Sequence, residues 1–455
     1  MTSVDRDGGA KRPNVLFLFS DQHRAQAMSC AGDPNIETTH MDRLANEGVR
    51  CAAAYTNAPL CAPARGCVYT GQHPNVHGVI TNHYPLIPSA PQLAQVLRDH
   101  GYHTAHLGKW HLCGGDVRQH FCSPFFRPGW DEWVGWESAH AYGGDGDYWD
   151  TCYGEGARYN VHHTHAYQSD WLADRFLAWL ETAPTDAPWF KVVSFEAPHE
   201  PCQVPPFYAD MYRNRKLKHR PNFQADHPRA DDPEHSLPGY YGMIKNLDDN
   251  IGRILNGLET AGQLDDTIVF YFSDHGDLMG SHGRSGKSRP EEESIRVPLL
   301  IRHPQTIRPG TVHEGLISLV DLMPTLLGML GIEVPDPVQG IDRSHALTRN
   351  NRSAATHIDP VDDTIYIQQN GIGFIQTAPR MYWRGLRTGP WSFAMSHPTG
   401  PRHLYNLDED PYQQRNLFDE DSAATVKSEL LELMRIKADR IGDEFFNHEP
   451  MLSTA

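Results

Sequence analysis

The chain has 455 residues, 39% of them hydrophobic and 21% charged, with a formal net charge of -17. That balance describes a folded globular protein and excludes a disordered chain; the acidic excess also excludes a protein built to coat nucleic acid, which needs a basic surface. Length alone would allow roughly two to four domains. An anionic small substrate stays compatible, because a basic pocket can sit in an acidic protein. Cysteines at 30, 51, 61, 67, 113, 122, 152 and 202 contain no C-x-x-C pair, which argues against a zinc ribbon or a thioredoxin-like centre. Met1 to Arg12 is polar and lacks the apolar core of a signal peptide, and no apolar stretch approaches the ~20 residues of a membrane helix. The expectation is a cytoplasmic protein with reduced cysteines, no nucleic-acid partner and no membrane association.

In chain order, Val15-Leu16-Phe17-Leu18-Phe19 comes first, a continuous apolar run ending in Ser20-Asp21-Gln22-His23. Such a run suits a strand buried on both faces, with polar groups at the end where a crevice can form. A helix is predicted from Thr39 to Glu47 and a strand from Val49 to Tyr55. Then comes Cys61-Ala62-Pro63-Ala64-Arg65-Gly66. Pro63 can start a helix, since its missing N–H is not needed there. A cysteine just upstream sits where the helix dipole favours negative charge, and Arg65, about one turn on, can face the same spot. From these six residues alone, a buried loop cysteine fits as well.

Gln92 to His100 predicts a helix stopped by Gly101, before a strand from Tyr102 to Leu107. Residues 112–165, rich in Gly, His, Trp and Tyr (Trp130, Trp133, Trp136, Tyr142, Trp149), show weak periodicity. They read as loops over a pocket rim or as a long insertion packed on the sheet. Short apolar strands at Phe190–Phe195, Thr267–Phe272 and Val297–Ile301 alternate with helical patterns at Ser169–Glu181, Tyr240–Thr260 and Leu319–Leu330. This alternation predicts an α/β fold with helices on both faces of a large sheet. A polar stretch at 342–363 leads to a smaller C-terminal unit, with strand-like Met381–Leu386 and Trp391–Ala394 and a last helix from Ala423 to Ile441. The expected division is a main domain at 1–345 and a subdomain at 346–455.

Two strand ends carry carboxylates: Asp21-Gln22 after the first, and Asp274-His275-Gly276-Asp277 after one about 250 residues later. Adjacent strands of a parallel sheet would bring them together. Two carboxylates, an amide oxygen and an imidazole suit a hard divalent cation, Ca²⁺ first, with Mn²⁺ or Mg²⁺ as alternatives. Taken singly, Asp21 or Asp274 is an ordinary cap or turn residue. Lys109 and His111 follow another strand, and His199 lies between Pro198 and Pro201 after a third. Gly286-Lys287-Ser288 looks like the tail of a P-loop, but that motif needs glycine at 281, where Ser281 stands, so a nucleotide site is rejected.

Together these segments, from Asn14 to about Leu417, resemble the type I sulfatases of the alkaline-phosphatase superfamily. The shared pieces include Asn14–Gln22, Cys61–Gly71 with His73-Pro74, Gly108–His111, Pro198–Pro201, Ser273–Asp277, Gly286-Lys287, Ser294–Pro298, Asp321–Thr325 and Leu404–Leu407 with Asp410-Pro411. The resemblance implies a large mixed, mostly parallel sheet in a catalytic domain, and a C-terminal α+β subdomain with an antiparallel sheet. It also implies metal-dependent hydrolysis of a sulfate ester to an alcohol and inorganic sulfate. In that family the cysteine of C-x-P-x-R is oxidised to formylglycine by a formylglycine-generating enzyme, and the hydrated aldehyde attacks sulfur. Carried over, Cys61 is the nucleophile precursor, Arg65 steadies the diol, and Asp21, Gln22, Asp274 and His275 hold one divalent cation. Lys109, His111, His199 and Lys287 would surround the sulfate. His199, with Lys287, would protonate the departing oxygen, and His111 would orient and deprotonate the diol.

Many family members have Asp at the position of Gln22 and Asn at that of His275. The Gln/His version resembles a branch that includes choline sulfatases and phosphonate monoester hydrolases, so a phosphonate monoester or phosphodiester is the rival substrate. Cys67 lacks the proline and arginine offsets and reads as helix packing. The aromatic residues at 130–167 could stack on a sugar, cage a quaternary amine or simply pack. A small sulfated carbohydrate, or another small organosulfate, is the expected substrate; a homo-oligomer is compatible with the sequence.

Overall fold

The computed structural model describes residues 12–87, 91–115, 121–138, 151–156, 161–232, 235–348, 359, 361–371, 382–396 and 402–447. Ten strands form one sheet: β1 (Asn14–Ser20), β2 (Val49–Tyr55), β3 (His103–Lys109), β4 (Glu132–Trp136), β5 (Thr151–Glu155), β6 (Val161–Thr164), β7 (Trp189–Ser194), β8 (Thr267–Ser273), β9 (Leu299–Arg302) and β10 (Thr311–Ser318). Their spatial order is β10-β2-β9-β8-β1-β7-β3-β4-β5-β6. The central run β8-β1-β7-β3-β4 is parallel, while β9 runs against both β8 and β2, and β5 against both β4 and β6.

The continuous apolar run of β1 has the cause expected for a central parallel strand, since both faces are buried. Val15, Phe17 and Phe19 point into one core with the helices Cys61–Thr70, Leu93–Asp99 and Leu322–Met329. Leu16 and Leu18 point into the other, beneath the helices Thr39–Glu47, Gln168–Leu180 and Leu237–Thr260. A second sheet of β11 (Ile365–Asn370), β12 (Tyr382–Thr388), β13 (Trp391–Ser396) and β14 (Arg402–Asn406) is antiparallel throughout. One of its faces packs on the helix Ala424–Ile441, and the other on Tyr55 and Ile295 of the main body. The expected fold class is therefore the observed one.

Among the described residues of 112–165, β4, β5 and β6 extend the sheet, in keeping with the insertion reading. Trp130, Trp133 and Trp136 are buried; the first two pack among His106, Trp110 and Phe190, and Trp136 packs against Trp171 on the other face of the sheet. They are core residues, so they are not a sugar platform; Tyr142 and Trp149 fall outside the described residues. β10 escaped prediction because it is an edge strand with half its length exposed and a bulge between His313 and Leu316. The expectation of reduced cysteines is corrected as well: Cys113 and Cys122 form a disulfide, their Cα atoms 5.8 Å apart. No described helix is long and apolar enough to cross a membrane.

Candidate active site

Register fixes the site. Ser20 pairs with Ser273, Phe19 with Ser194, and Gly108 with Ser194, so β1, β8, β7 and β3 end on one edge. The residues just beyond these ends are Asp21-Gln22, Asp274-His275, Glu196 to His199, and His111, with Lys109 closing β3. The helix Cys61–Thr70 points its N-terminus at that edge, with Pro63 inside its first turn. Gly66 is required by packing, since a Cβ there would meet the His77 ring at 2.5 Å. Cys67 is buried against His77, Sγ to Nε2 3.6 Å, in keeping with the helix-packing reading.

Cys61 Sγ lies 3.2 Å from His275 Nε2, 3.2 Å from Lys287 Nζ and 3.6 Å from Asp21 Oδ1. Arg65 Nη1 donates to the Lys109 carbonyl at 3.0 Å and to Ser194 Oγ at 2.9 Å, and Nη2 to Asp21 Oδ2 at 3.2 Å. Its Nε stands 3.4 Å from Asp274 Oδ2, and the guanidinium lies over the Phe19 ring. Lys109 Nζ is 2.8 Å from Asp21 Oδ2 and 3.4 Å from Glu196 Oε1. Lys287 Nζ also reaches Gln22 Oε1 at 2.6 Å and His199 Nε2 at 2.7 Å. His111 sits two residues past Lys109, buried, with left-handed backbone at φ 61. Nine of the ten predicted residues are thus joined by direct contacts, and His111 stands beside them on the same strand end.

Electrostatics sharpens the picture. The Cys61 thiol is pushed up to about 12, by burial first and then by Asp21. Burial therefore overrides the helix N-terminus, and the residue is no preformed thiolate. Burial raises Asp21 too, but Lys109, His199, Lys287 and Arg65 together hold it well below the usual carboxylate range. Asp274 is pushed up, by burial and then by Asp21, and its Oδ2 is buried with no hydrogen-bond partner. His275 is brought down to about 3 by burial and then Lys287, so it is neutral. Its Nδ1 faces the Gly276 carbonyl at 3.0 Å, which leaves the Nε2 lone pair directed at Cys61 and the carboxylates. Asp21, Asp274, His275 and residue 61 present ligand atoms within 4.8 Å of one another. An orphaned carboxylate oxygen beside a neutral, oriented imidazole is the donor set a hard divalent cation fits.

Gln22 is held in a strained position, φ 67, by its N–H on Asp274 Oδ1 (3.0 Å) and by Tyr240, whose hydroxyl donates to its carbonyl (2.8 Å). Its side-chain Nε2 donates to both Glu200 and Asp277 carboxylates, which leaves its Oε1 to accept from Lys287. Sequence reasoning assigned no role to Asp277, Glu200, Glu196 or His235. Glu196 accepts from Lys109, Trp136, Ser138 and Gln168, and was findable as the polar residue one past a strand end. His235, 3.1 Å from Asp277, comes from a segment with no local signal.

The sulfatase family model matches residues 13–332, and that of the N-sulphoglucosamine sulphohydrolase C-terminal region matches residues 280–439. The chain belongs to the sulfatase family. It is 32% identical over 448 residues to the ulvan-active sulfatase of Formosa agariphila, covering 97% of this chain and 84% of that one. Against the N-acetylglucosamine-6-O-sulfatase of Bacteroides thetaiotaomicron it is 27% identical, covering 93% and 86%. A solved structure in complex with its substrate D-glucosamine-2-N,6-O-disulfate superposes with TM-score 0.84 at 24% identity, over 96% and 100% of the two chains. Choline-sulfatase and phosphonate monoester hydrolase are among the further matches, as the Gln/His pattern suggested. This sulfatase is accordingly a sulfuric ester hydrolase with the alkaline-phosphatase-like fold.

Proposed function

We propose that this sulfatase hydrolyses a sulfate ester on a small carbohydrate, with Cys61 converted to formylglycine and one divalent cation, Ca²⁺ first, held by Asp21, Gln22, Asp274 and His275. The observation that carries the reading is the convergence on buried residue 61 of His275, Asp21 and Lys287 at the N-terminus of its helix. A protonated, buried thiol is a poor nucleophile, which favours conversion over direct thiol chemistry. A formylglycine at residue 61 would supply a nucleophilic hydrate oxygen, and a cation held by Asp21, Gln22, Asp274 and His275 would supply Lewis acidity there.

The chain's own residues do the rest. Lys109 and Arg65 neutralise Asp21 and keep cationic donors at the sulfate position, where charge accumulates in the transition state. Lys287 and His199, 2.7 Å apart, are placed to hand a proton to the departing alkoxide. His111, two residues past Lys109 on the same strand end, would take the diol proton. The carbohydrate preference is supported by relatives named for ulvan and for N-acetylglucosamine-6-O-sulfate. A cytoplasmic site of action would suit a small imported ester, with a formylglycine-generating enzyme as the maturation partner.

The test is peptide mass analysis of residue 61 combined with parallel kinetics on sulfated monosaccharides, an aryl sulfate and an aryl phosphonate. Conversion at position 61 with the highest kcat/KM on a sulfated sugar is expected. Full activity with unconverted cysteine, or a higher kcat/KM on the phosphonate, would overturn the proposal.

A further inference from the structure

A cavity of about 510 Å³ opens between the loop after β1, the 218–223 segment, the helix Leu237–Thr260 and Tyr412 of the C-terminal unit. Its lining carries four cationic side chains, Arg24, Lys218, Arg220 and Arg296, against one carboxylate, Asp33. In a protein of net charge -17 such a cluster runs against the overall field. Arg24 decides what it means. Its side chain is buried, 2% exposed, and among the described residues it makes no ion pair within 4.0 Å. One Nη2 bond to Tyr241 Oη, at 3.4 Å, is its side-chain hydrogen bond, and its buried Nε has no partner.

A guanidinium cannot shed its proton to escape burial; Asp33 and Glu293 offset its charge from beyond ion-pair distance, so among the described residues no carboxylate contacts it directly. Tyr241 relays only to Asp33, its hydroxyl donating to Oδ2 at 2.7 Å. Arg220 spends its Nε on Glu293 at 2.8 Å, and Arg296 spends Nε and Nη2 on the Ala52 carbonyl. All of these side chains, with the exposed Lys218, line the cavity.

We infer that this cavity is an oxyanion-binding site separate from the sulfate pocket at residue 61, taking a sulfate group that stacks charge on Arg24. Two sources share that chemistry: free inorganic sulfate, which is the reaction's product, and a further sulfate group on a longer carbohydrate. The inference stands whether or not the catalytic reading of residue 61 holds.

Crystals of the enzyme soaked in selenate give a direct readout, because selenium's anomalous signal marks each bound anion. The expected result is a selenate peak beside Arg24, distinct from any at residue 61, which weakens in Lys218→Glu and disappears in Arg24→Met. In solution, sulfate raises the unfolding midpoint of the wild type. Charge reversal at the exposed Lys218 lowers the affinity behind that rise about tenfold, the order expected for one charge-assisted contact, without changing kcat on a monosulfated substrate. If selenate is absent from the cavity but Lys218→Glu raises KM for a disulfated oligosaccharide and not for a monosulfated one, the bound group is the substrate's own. No peak together with unchanged KM on both substrates refutes the site. Arg24→Met that fails to fold leaves the Lys218 measurements decisive.

Discussion

Two buried ionic networks in this molecule use the same ingredients and end differently. In the C-terminal unit, Asp443 accepts from Arg384 Nε and Nη2, Tyr366 Oη, Gln368 Nε2 and the Phe445 amide. Arg384 spends its remaining Nη1 on the carbonyls of Gln369 and Trp383. Every strong group there is matched, and the network is closed. At the sheet edge, Arg65 and Lys109 meet Asp21, Asp274 and Glu196, yet Asp274 Oδ2 and Arg65 Nε stay without a hydrogen bond. A closed network ties strands to a helix; an open one keeps unmet demand where a cation and a substrate can meet it.

The sharpest break of that contrast is removal of residue 61. Cys61→Ala should cost about four orders of magnitude or more in kcat/KM, the scale of losing a nucleophile, while leaving the unfolding midpoint close to wild type. Comparable activity in the variant would show that the open network serves some other chemistry. In the closed network the effects exchange places. Arg384→Met leaves Asp443 buried and uncompensated, and should destabilise by about 3–5 kcal/mol by chemical denaturation, with kcat/KM unchanged once folded. Burial raises the Asp443 pKa, but Arg384, Gln368 and Tyr366 bring it below the ordinary value. The folded state therefore binds fewer protons, so stability is present above pH about 4 and is lost as pH falls below it. Without Arg384 burial outweighs the remaining partners and raises the carboxyl, so stability should instead fall as pH rises from about 4 towards 7.

Chelation probes the open network with the opposite sign. The raised Asp274 means the metal-free fold binds more protons than the unfolded chain, so its contribution falls as pH rises from about 4 towards 7. A bound cation removes that penalty. At free metal about a hundred times Kd, stabilisation should be about 2.7 kcal/mol at pH 7.5 and should shrink towards pH 5, where Asp274 protonation competes. Metal-independent midpoints at both pH values would close the site to a cation.

Much of the site was legible because its residues come from strand ends. Asp21, Lys109, His199 and Asp274 each follow an apolar run, and parallel pairing carries such ends to one edge whatever the distance in sequence. The parts that escaped depend on long-range packing. Glu196 and Asp277 take side-chain partners from distant parts of the chain, and His235 arrives from a segment with no periodicity. The tryptophans of 130–136 stayed open between a ligand platform and core packing because composition cannot distinguish an exposed aromatic from one that fills a sheet interior. The thiol of Cys61 shows the same limit: the helix N-terminus was visible, while the burial that outweighs it was not.

The finest test concerns Gln22, the amide among the four proposed cation ligands. An amide can present either its oxygen or its NH₂, and only the oxygen can bind a cation. Asp277 and Glu200 both accept from Nε2, which fixes the choice. Asp277 is the stronger brace: it is buried, and its Oδ1 is pinned by the Met279 and Gly286 amides at 2.8 and 3.0 Å. Glu200 is partly buried, 23% exposed, and shared with Arg229. Asp277→Asn keeps the shape but turns an acceptor towards Gln22 into a possible donor, so the amide is free to flip. Cation affinity, measured by chelator competition, should fall about 10–100-fold, with a smaller loss for Glu200→Gln. Wild-type affinity in Asp277→Asn would mean that the orientation of Gln22 is set by Lys287 alone, whose Nζ already grips Oε1 at 2.6 Å.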